Sequence, residues 1–394
     1  MRLAVSNEPI DSFVESRRDD LVQLLCRLIA ARTENPPGDE HLAAAIMRET
    51  LEPLGIECRM LERAPGRTNV IARVGAGSPS ILIACHLDVV PAGDGWESDP
   101  FVAEVRDGRV FGRGTSDNKG QLAAVLTLAG YLKEHENELI GEVILVGAAD
   151  EEAGSDLGLE WLVEEGLVQA DFALIPDIDH RMHRISVAEK GALFLKITAR
   201  GKQSHGSAPE QGINAVWGMI DLLNEVRLMD ISAKPNALLT PPTFNLGMIR
   251  GGSAPNIVPA RCEANLDFRF LPSQNADGIE KNIRDIASKI EAAGEGVRFD
   301  VERTMAVEPV EVATDHPLVR RLQEAAQEVL GWKPELLGLS GSTVAKPLVR
   351  AGTPAVGFGP GEETEAHAAN ESVAISELLS FTKVLGRFLA KEKT

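Results

Sequence analysis

Apolar positions fall into two kinds of run along this chain. The segment DSFVESRRDDLVQLLCRLIAAR places Phe13, Val14, Leu21, Leu24, Leu25, Leu28 and Ile29 at helical spacing, and TENPPGDE ends it with prolines and a glycine. HLAAAIMRETLEPLG reads as a second helix. Short apolar strands follow near Asn69 to Val74 and Ser80 to Val90, then a helix from about Lys119 to Glu134. GEVILVGAA (141 to 149) and FALIPD (172 to 177) repeat the run, with helical LGLEWLVEEG between them. Strands apolar on both sides, alternating with helices, predict an α/β domain: a mostly parallel sheet with helices on both faces.

The pattern changes near Ser186. ISVAEKGALFLKITARG alternates as an antiparallel strand does, and NAVWGMIDLLNEVRLM is helical. TFNLGMIRGG and ARCEANLDFRF read as two strands, ADGIEKNIRDIASKIEAAG as a helix and VRFDVERTM as a last strand. The order β-α-β-β-α-β predicts an α+β ferredoxin-like unit. Beyond it, TDHPLVRRLQEAAQEVLG opens a helix with Pro317 in its first turn, TPAVGFGPG supplies another buried strand, and ISELLSFTKVLGRFLAKE closes with an amphipathic helix. The expected organisation is one α/β domain in two pieces, 1–185 and 303–394, with the ferredoxin-like domain inserted at 186–302.

Composition narrows the partners. Forty basic against 59 acidic residues leave a net charge of -19, which argues against electrostatic binding to nucleic acid or to an anionic membrane. Small polar substrates and metal cations fit better. The chain is 44% hydrophobic and 25% charged, in the ordinary globular range. Cys26, Cys58, Cys85 and Cys262 stand far apart with no CxxC pair, so no zinc knuckle or disulfide framework is expected and a reduced, cytoplasmic setting follows. MRLAVSNEPIDSFVE has no apolar h-region, and no run approaches the roughly 20 apolar residues of a membrane span, so neither secretion nor membrane insertion is expected.

Acidic and histidine side chains recur where apolar strands end or glycine-rich turns begin. They are His86 and Asp88 in CHLDVV, Asp117 in GRGTSDNKG, Glu151 and Glu152 in GAADEEAG, Asp177 in ALIPDIDH and His367 in GPGEETEAHAANE. In a parallel sheet, sites form outside the carboxyl ends of the strands, where these residues fall. Each alone has a plain explanation: His86 as a satisfied core histidine, Asp88 as a helix cap, the Glu pair and His367 as solvated loop residues. Their recurrence at one edge of one sheet favours a shared metal site, and oxygen and nitrogen donors without sulfur suit Zn2+, Co2+ or Mn2+. The strand period of two puts His86 and Asp88 on one face, so Asp88 is expected to accept the ring N–H of His86 and fix its tautomer.

The motifs HLDVV, GRGTSDNKGQ, DEEAGS, SHGSAPEQGINAV, APNIVPARCEANLDFR and AHAANE, with Asp177 between the third and fourth, also resemble a family. They are similar, in order, to those of the dinuclear metallohydrolases of the peptidase M20 type, which include acetylornithine deacetylase, succinyl-diaminopimelate desuccinylase, aminoacylase and related dipeptidases. The resemblance runs from about residue 10 to 390. It implies two divalent ions per subunit, Zn2+ or Co2+, with His86 and Asp177 on one, Glu152 and His367 on the other, and Asp117 bridging both. Glu151 would be the general base and Asp88 the partner of His86. Since adjacent residues of an extended chain point opposite ways, Glu151 and Glu152 can both serve only where the chain turns, as AGS allows. His205 would stabilise the oxyanion in the partner subunit of a homodimer formed through the inserted domain. Asn256 and Arg269 would bind substrate, although Arg269 reads equally well as an exposed strand cation.

Two departures bear on specificity. In LSGSTVAKPL (339 to 348), Val344 and Ala345 stand where many deacylases carry an acid, and Asp177 together with DNKGQ leans toward dipeptidases. His180 and His183 in DIDHRMHR read as a surface loop. The leading expectation is hydrolysis of the amide bond of an N-acyl amino acid or related small molecule. A dipeptidase is the alternative, and a non-catalytic metal-binding relative a more distant one.

Overall fold

A computed structural model of the chain describes residues 8–177, 180–293, 296–341 and 343–391. It divides into two compact units: the chain up to Val187 with 312–337 and the segment from Thr343, and Ala188–Glu311 with Gly338–Ser342.

The first unit is built on a sheet whose strands run Cys58–Glu62, Thr68–Val74, Glu142–Ala148, Ser80–His86, Phe172–Ile175, Ala355–Gly357 and Arg184–Glu189. The four middle strands from Glu142–Ala148 to Ala355–Gly357 are parallel, and the outer pairings are antiparallel. This is the parallel-centred α/β sheet expected from the apolar runs. Ser80–His86 is buried from Ile81 onward, which is why its sequence lacks alternation. Leu82 and Ala84 join Ile144, Val146, Leu159, Leu162 and Leu348 on one face of the sheet. Lys119–Glu134 packs on the strand as well, and against Arg18–Ala30 and Ile375–Leu389.

The second unit is a four-stranded antiparallel sheet ordered Thr243–Gly251, Arg261–Phe270, Gly191–Arg200, Arg298–Val307, with helices Ala215–Leu228 and Ala276–Ala292. The chain visits them as β-α-β-β-α-β, the ferredoxin-like arrangement. Leu193, Leu195 and Ile197 alternate inward to meet Met219, Leu222 and Ile283. Each helix starts on an asparagine cap: Asn214 accepts the amides of Val216 and Trp217, and Asn275 that of Gly278.

Two expectations change in detail. The first helix is two, Glu8–Ser16 and Arg18–Ala30. ISVAEKGALFLKITARG is also two strands, Arg184–Glu189 and Gly191–Arg200, in different sheets. The break falls where Lys190 is buried and where a Cβ on Gly191 would lie 2.3 Å from the Phe270 ring.

Candidate metal centre

Parallel pairing sets the site. Ser80–His86 runs in register with Glu142–Ala148, so His86 stands opposite Ala148, and the chain carrying Glu151 and Glu152 leaves the sheet beside it. Asp177 follows the neighbouring parallel strand Phe172–Ile175. Asp117 comes from the loop before Lys119–Glu134, and His367 from the segment after Ala355–Gly357. No side chain would fit at Gly359, where a Cβ would meet the Asp177 carbonyl at 2.3 Å.

The imidazoles and carboxylates interlock. Asp117 Oδ1 lies 2.9 Å from His86 Nε2, and Asp117 Oδ2 lies 3.3 Å from His367 Nε2. His367 Nε2 is also 3.2 Å from Glu152 Oε2. Two overlapping donor groups result, His86 with Glu151 and Glu152, and Asp117 with Glu152 and His367, each with ligand atoms within 4.8 Å of one another. Burial alone would raise the Asp117 carboxyl, but the two imidazoles outweigh it and hold it well below the usual carboxylate range. The same carboxylates push His367 up to about 10. Burial pushes Glu151 well above an ordinary glutamate; the nearby His86 opposes this, and the charges of Asp177, Glu152 and Asp117 reinforce it.

The expected hydrogen bond from His86 to the Asp88 side chain takes another form. His86 Nδ1 lies 2.9 Å from the Asp88 backbone carbonyl, whereas the carboxylate oxygen is 3.6 Å away. That carboxylate is fully buried and engaged elsewhere: Oδ1 accepts the Glu151 amide at 3.1 Å, and Oδ2 accepts the Glu152 amide at 3.1 Å and Asn35 Nδ2 at 2.8 Å. Asp88 therefore anchors the short 3-10 turn Glu151–Ala153, and this turn lets two adjacent glutamates both reach the donor groups. Behind it Asp150, in the left-handed region at φ 65, is held by Arg67 at 2.7 Å. Arg67 also forks onto the buried Glu40 through two 2.7 Å bonds.

Other residues that sequence reasoning passed over support the second histidine. Arg113 and Glu371 pair at 2.6 Å with side chains 1% and 0% exposed. Arg113 lies between Gly112 and Gly114, both at positive φ; a lone arginine there was the one available signal. Val344 and Ala345 are buried in the core cluster with Ile175 and Ala355, which explains their apolar character in the departing segment; Ser342, within the same segment, lies outside the described residues.

The remaining expected residues belong to the second unit. His205 and Asn256 are neighbours there: the Gly206 amide donates to the Asn256 carbonyl at 2.8 Å, beside the pairing of Ser204–His205 with Ile257–Val258. His205 Nδ1 accepts the Ser207 amide at 3.1 Å. Arg269 is already engaged, with Nε and Nη2 at 2.9 and 3.3 Å from the two oxygens of Asp267 and its guanidinium over Phe194. In the first unit, His180 pairs with Glu362 and Glu363, and His183 stacks on Trp332; neither belongs to the donor groups found among the described residues.

The donor chemistry fits a divalent cation. Two imidazoles and several carboxylates are brought together without sulfur, and Glu152 Oε1 is sealed from solvent with no hydrogen-bond partner among the described residues. A carboxylate oxygen left so is satisfied by a cation.

Nitrogen and oxygen donors gathered where a parallel sheet opens define a candidate divalent-metal protein. The chain belongs to peptidase family M20/M25/M40, whose profile matches residues 82–391. It is 30% identical to a succinyl-diaminopimelate desuccinylase of Gluconacetobacter diazotrophicus over 92% of this chain and 94% of that one. It is 28% identical to an acetylornithine deacetylase of Proteus mirabilis over 87% and 88% of the two chains. In fold it is similar to the aminopeptidase PepT of Bacillus cereus, with a TM-score of 0.77, 22% identity, and 94% and 98% of the two chains covered.

Proposed function

We propose that the chain is a deacylase that hydrolyses the amide bond of an N-acyl amino acid or a related small molecule with two divalent ions per subunit, Zn2+ or Co2+. The observation that carries this reading is Asp117, whose two oxygens face one imidazole each at 2.9 and 3.3 Å. A carboxylate so placed suits a bridge, with His86 and Asp177 holding one ion and Glu152 and His367 the other. The chemistry supplied at such a centre is polarisation of the scissile carbonyl and acidification of a water. Glu151 then takes a proton from the attacking water and delivers it to the leaving amine, a role that suits a carboxylate set beside the donors on the same turn as Glu152. Asp88 keeps Glu151 and Glu152 in place through their amides.

His205 serves as oxyanion donor. Ser207 offers Nδ1 both its amide at 3.1 Å and its hydroxyl at 2.6 Å, and in the tautomer that accepts there neutral His205 presents Nε2–H. Asn256 and Arg269 contact substrate; for Arg269 only the part of the fork not held by Asp267 is open to it. We assign the inserted domain, 186–302, to dimerisation. The strand Thr243–Gly251 is an exposed sheet edge carrying Leu246, Met248 and Ile249, a surface suited to a second copy of the chain. We place the enzyme in the cytoplasm, in keeping with four free cysteines; no described helix is long and apolar enough to cross a membrane.

Sequence identity near 30% to a desuccinylase and a deacetylase favours the deacylase reading. The dipeptidase reading keeps Asp177 in its favour. Steady-state kinetics of the ion-loaded protein on N-acetyl and N-succinyl amino acids beside unblocked dipeptides decides between them. Cleavage confined to free-amine dipeptides sinks the deacylase assignment.

A further inference from the structure

The two histidines of the centre sit in unlike surroundings. His86 ends a strand paired along its whole length, and its ring is 3% exposed, so packing holds it. The His367 ring is 54% exposed, and its backbone is left-handed at φ 59. Packing alone does not hold such a residue, and its main chain is gripped from below. Arg113 Nη2 donates to the His367 carbonyl at 3.3 Å, and Nη1 to the Ala368 carbonyl at 3.2 Å. The same two nitrogens reach the Ala92 carbonyl at 3.1 Å and Glu371 Oε2 at 2.6 Å, while the Trp96 ring covers the guanidinium at 5.1 Å. Glu371 in turn accepts the amides of Gly114 at 3.1 Å, Ser116 at 2.7 Å and Asp117 at 3.1 Å. One buried ion pair thus joins 113–117 to 367–371, beside the antiparallel pairing of Arg109–Phe111 with Ser372–Ala374.

We propose that Arg113 and Glu371 are positioning residues that lock the Asp117 and His367 loops into one unit, so that both donors meet the same ion. The proposal rests on the ion assignment given above. The lock needs a planar fork, because four N–H groups serve one carboxylate and three carbonyls, a span that a lysine ammonium does not cover. It acts unequally on the centre: the ion assigned to Glu152 and His367 has two donors on the locked loops, His367 and the shared Asp117, whereas the other has Asp117 alone, since His86 owes its position to the sheet. Loss of the lock therefore separates the two ions in affinity, which a general loss of structure does not do.

Titration of the ion-free protein with Co2+, followed by its visible spectrum and by competition with a chelator, reads the two equivalents separately. In Arg113→Lys and Glu371→Gln, one equivalent weakens by about 10- to 100-fold, the usual range for loss of a residue that orients a ligand, while the other, which shares only Asp117 with the locked loops, weakens clearly less. Equal weakening of both equivalents, or of neither, in a variant that is still folded at the titration temperature overturns the proposal. Hydrogen exchange on the unmodified chain needs no variant: uptake of the second equivalent protects 113–117 and 367–371 together, and protection of only one segment overturns the proposal equally. A parent chain that takes up no second equivalent overturns the ion assignment itself, and that failure is read before any substitution is made.

Discussion

The Asp88 carboxylate accepts the backbone amide of Glu152 at 3.1 Å, so the residue that follows His86 by two positions governs the turn carrying the two glutamates. Asp88→Ala removes the acceptor for both the Glu151 and Glu152 amides and leaves them buried without a partner. The variant is expected to lose about 10- to 100-fold in ion affinity or in kcat/KM. Chelator competition and steady-state kinetics measure this, and parent values for both refute it.

Glu151→Gln keeps the shape of the side chain and removes its ability to carry a proton. The expected fall in kcat is about 100- to 10,000-fold at unchanged ion content, as measured by atomic absorption. Full activity with full ion content removes Glu151 from the mechanism. Exhaustive chelation of the parent is expected to abolish turnover, and added Zn2+ or Co2+ to restore it.

Arg67 lies between two carboxylates that have little water to turn to, with the Glu40 and Asp150 side chains 0% and 7% exposed. Arg67→Met strands both charges. Removing one partner of a buried pair typically destabilises by about 3–5 kcal/mol. Urea unfolding followed by tryptophan fluorescence tests this, with a loss below about 1 kcal/mol, the scale of an exposed pair, as the contrary result.

The donor role requires neutral His205 to be the Nε2–H tautomer, with Nδ1 accepting from the Ser207 amide or hydroxyl and not donating to that hydroxyl. Nitrogen-15 NMR of histidine-labelled protein distinguishes the two ring nitrogens directly. A protonated Nδ1 in the neutral ring excludes the donor role assigned to His205.

What the sequence disclosed follows from range. His86 and Asp88 stand out because a buried strand tolerates polar residues only where it leaves the core, and that contrast lies within ten residues. The parallel centre of the sheet was legible for the same reason, in runs such as ILIA and VILV. The role of Glu371 was not legible: the motif AHAANE contains it, but its burial depends on Arg113, 258 positions away. The partner of the Asp88 carboxylate was misjudged because spacing gives the face of a side chain and leaves open which of several nearby donors reaches it. Val344 and Ala345, which read as a departure from the deacylase pattern, lie in the core, a burial that their spacing alone does not announce.

The strand Ala355–Gly357 lies between Phe172–Ile175 and Arg184–Glu189, inside the sheet although late in the chain. During translation the ferredoxin-like unit, nearly all of it contiguous, emerges before that strand does. The larger sheet waits with a gap between two finished strands until residues 355–357 have emerged from the ribosome, and His367 follows ten residues later. A nascent chain therefore carries two unpaired strand edges from residue 189 to residue 357, and the donors of the centre meet only after that gap is filled.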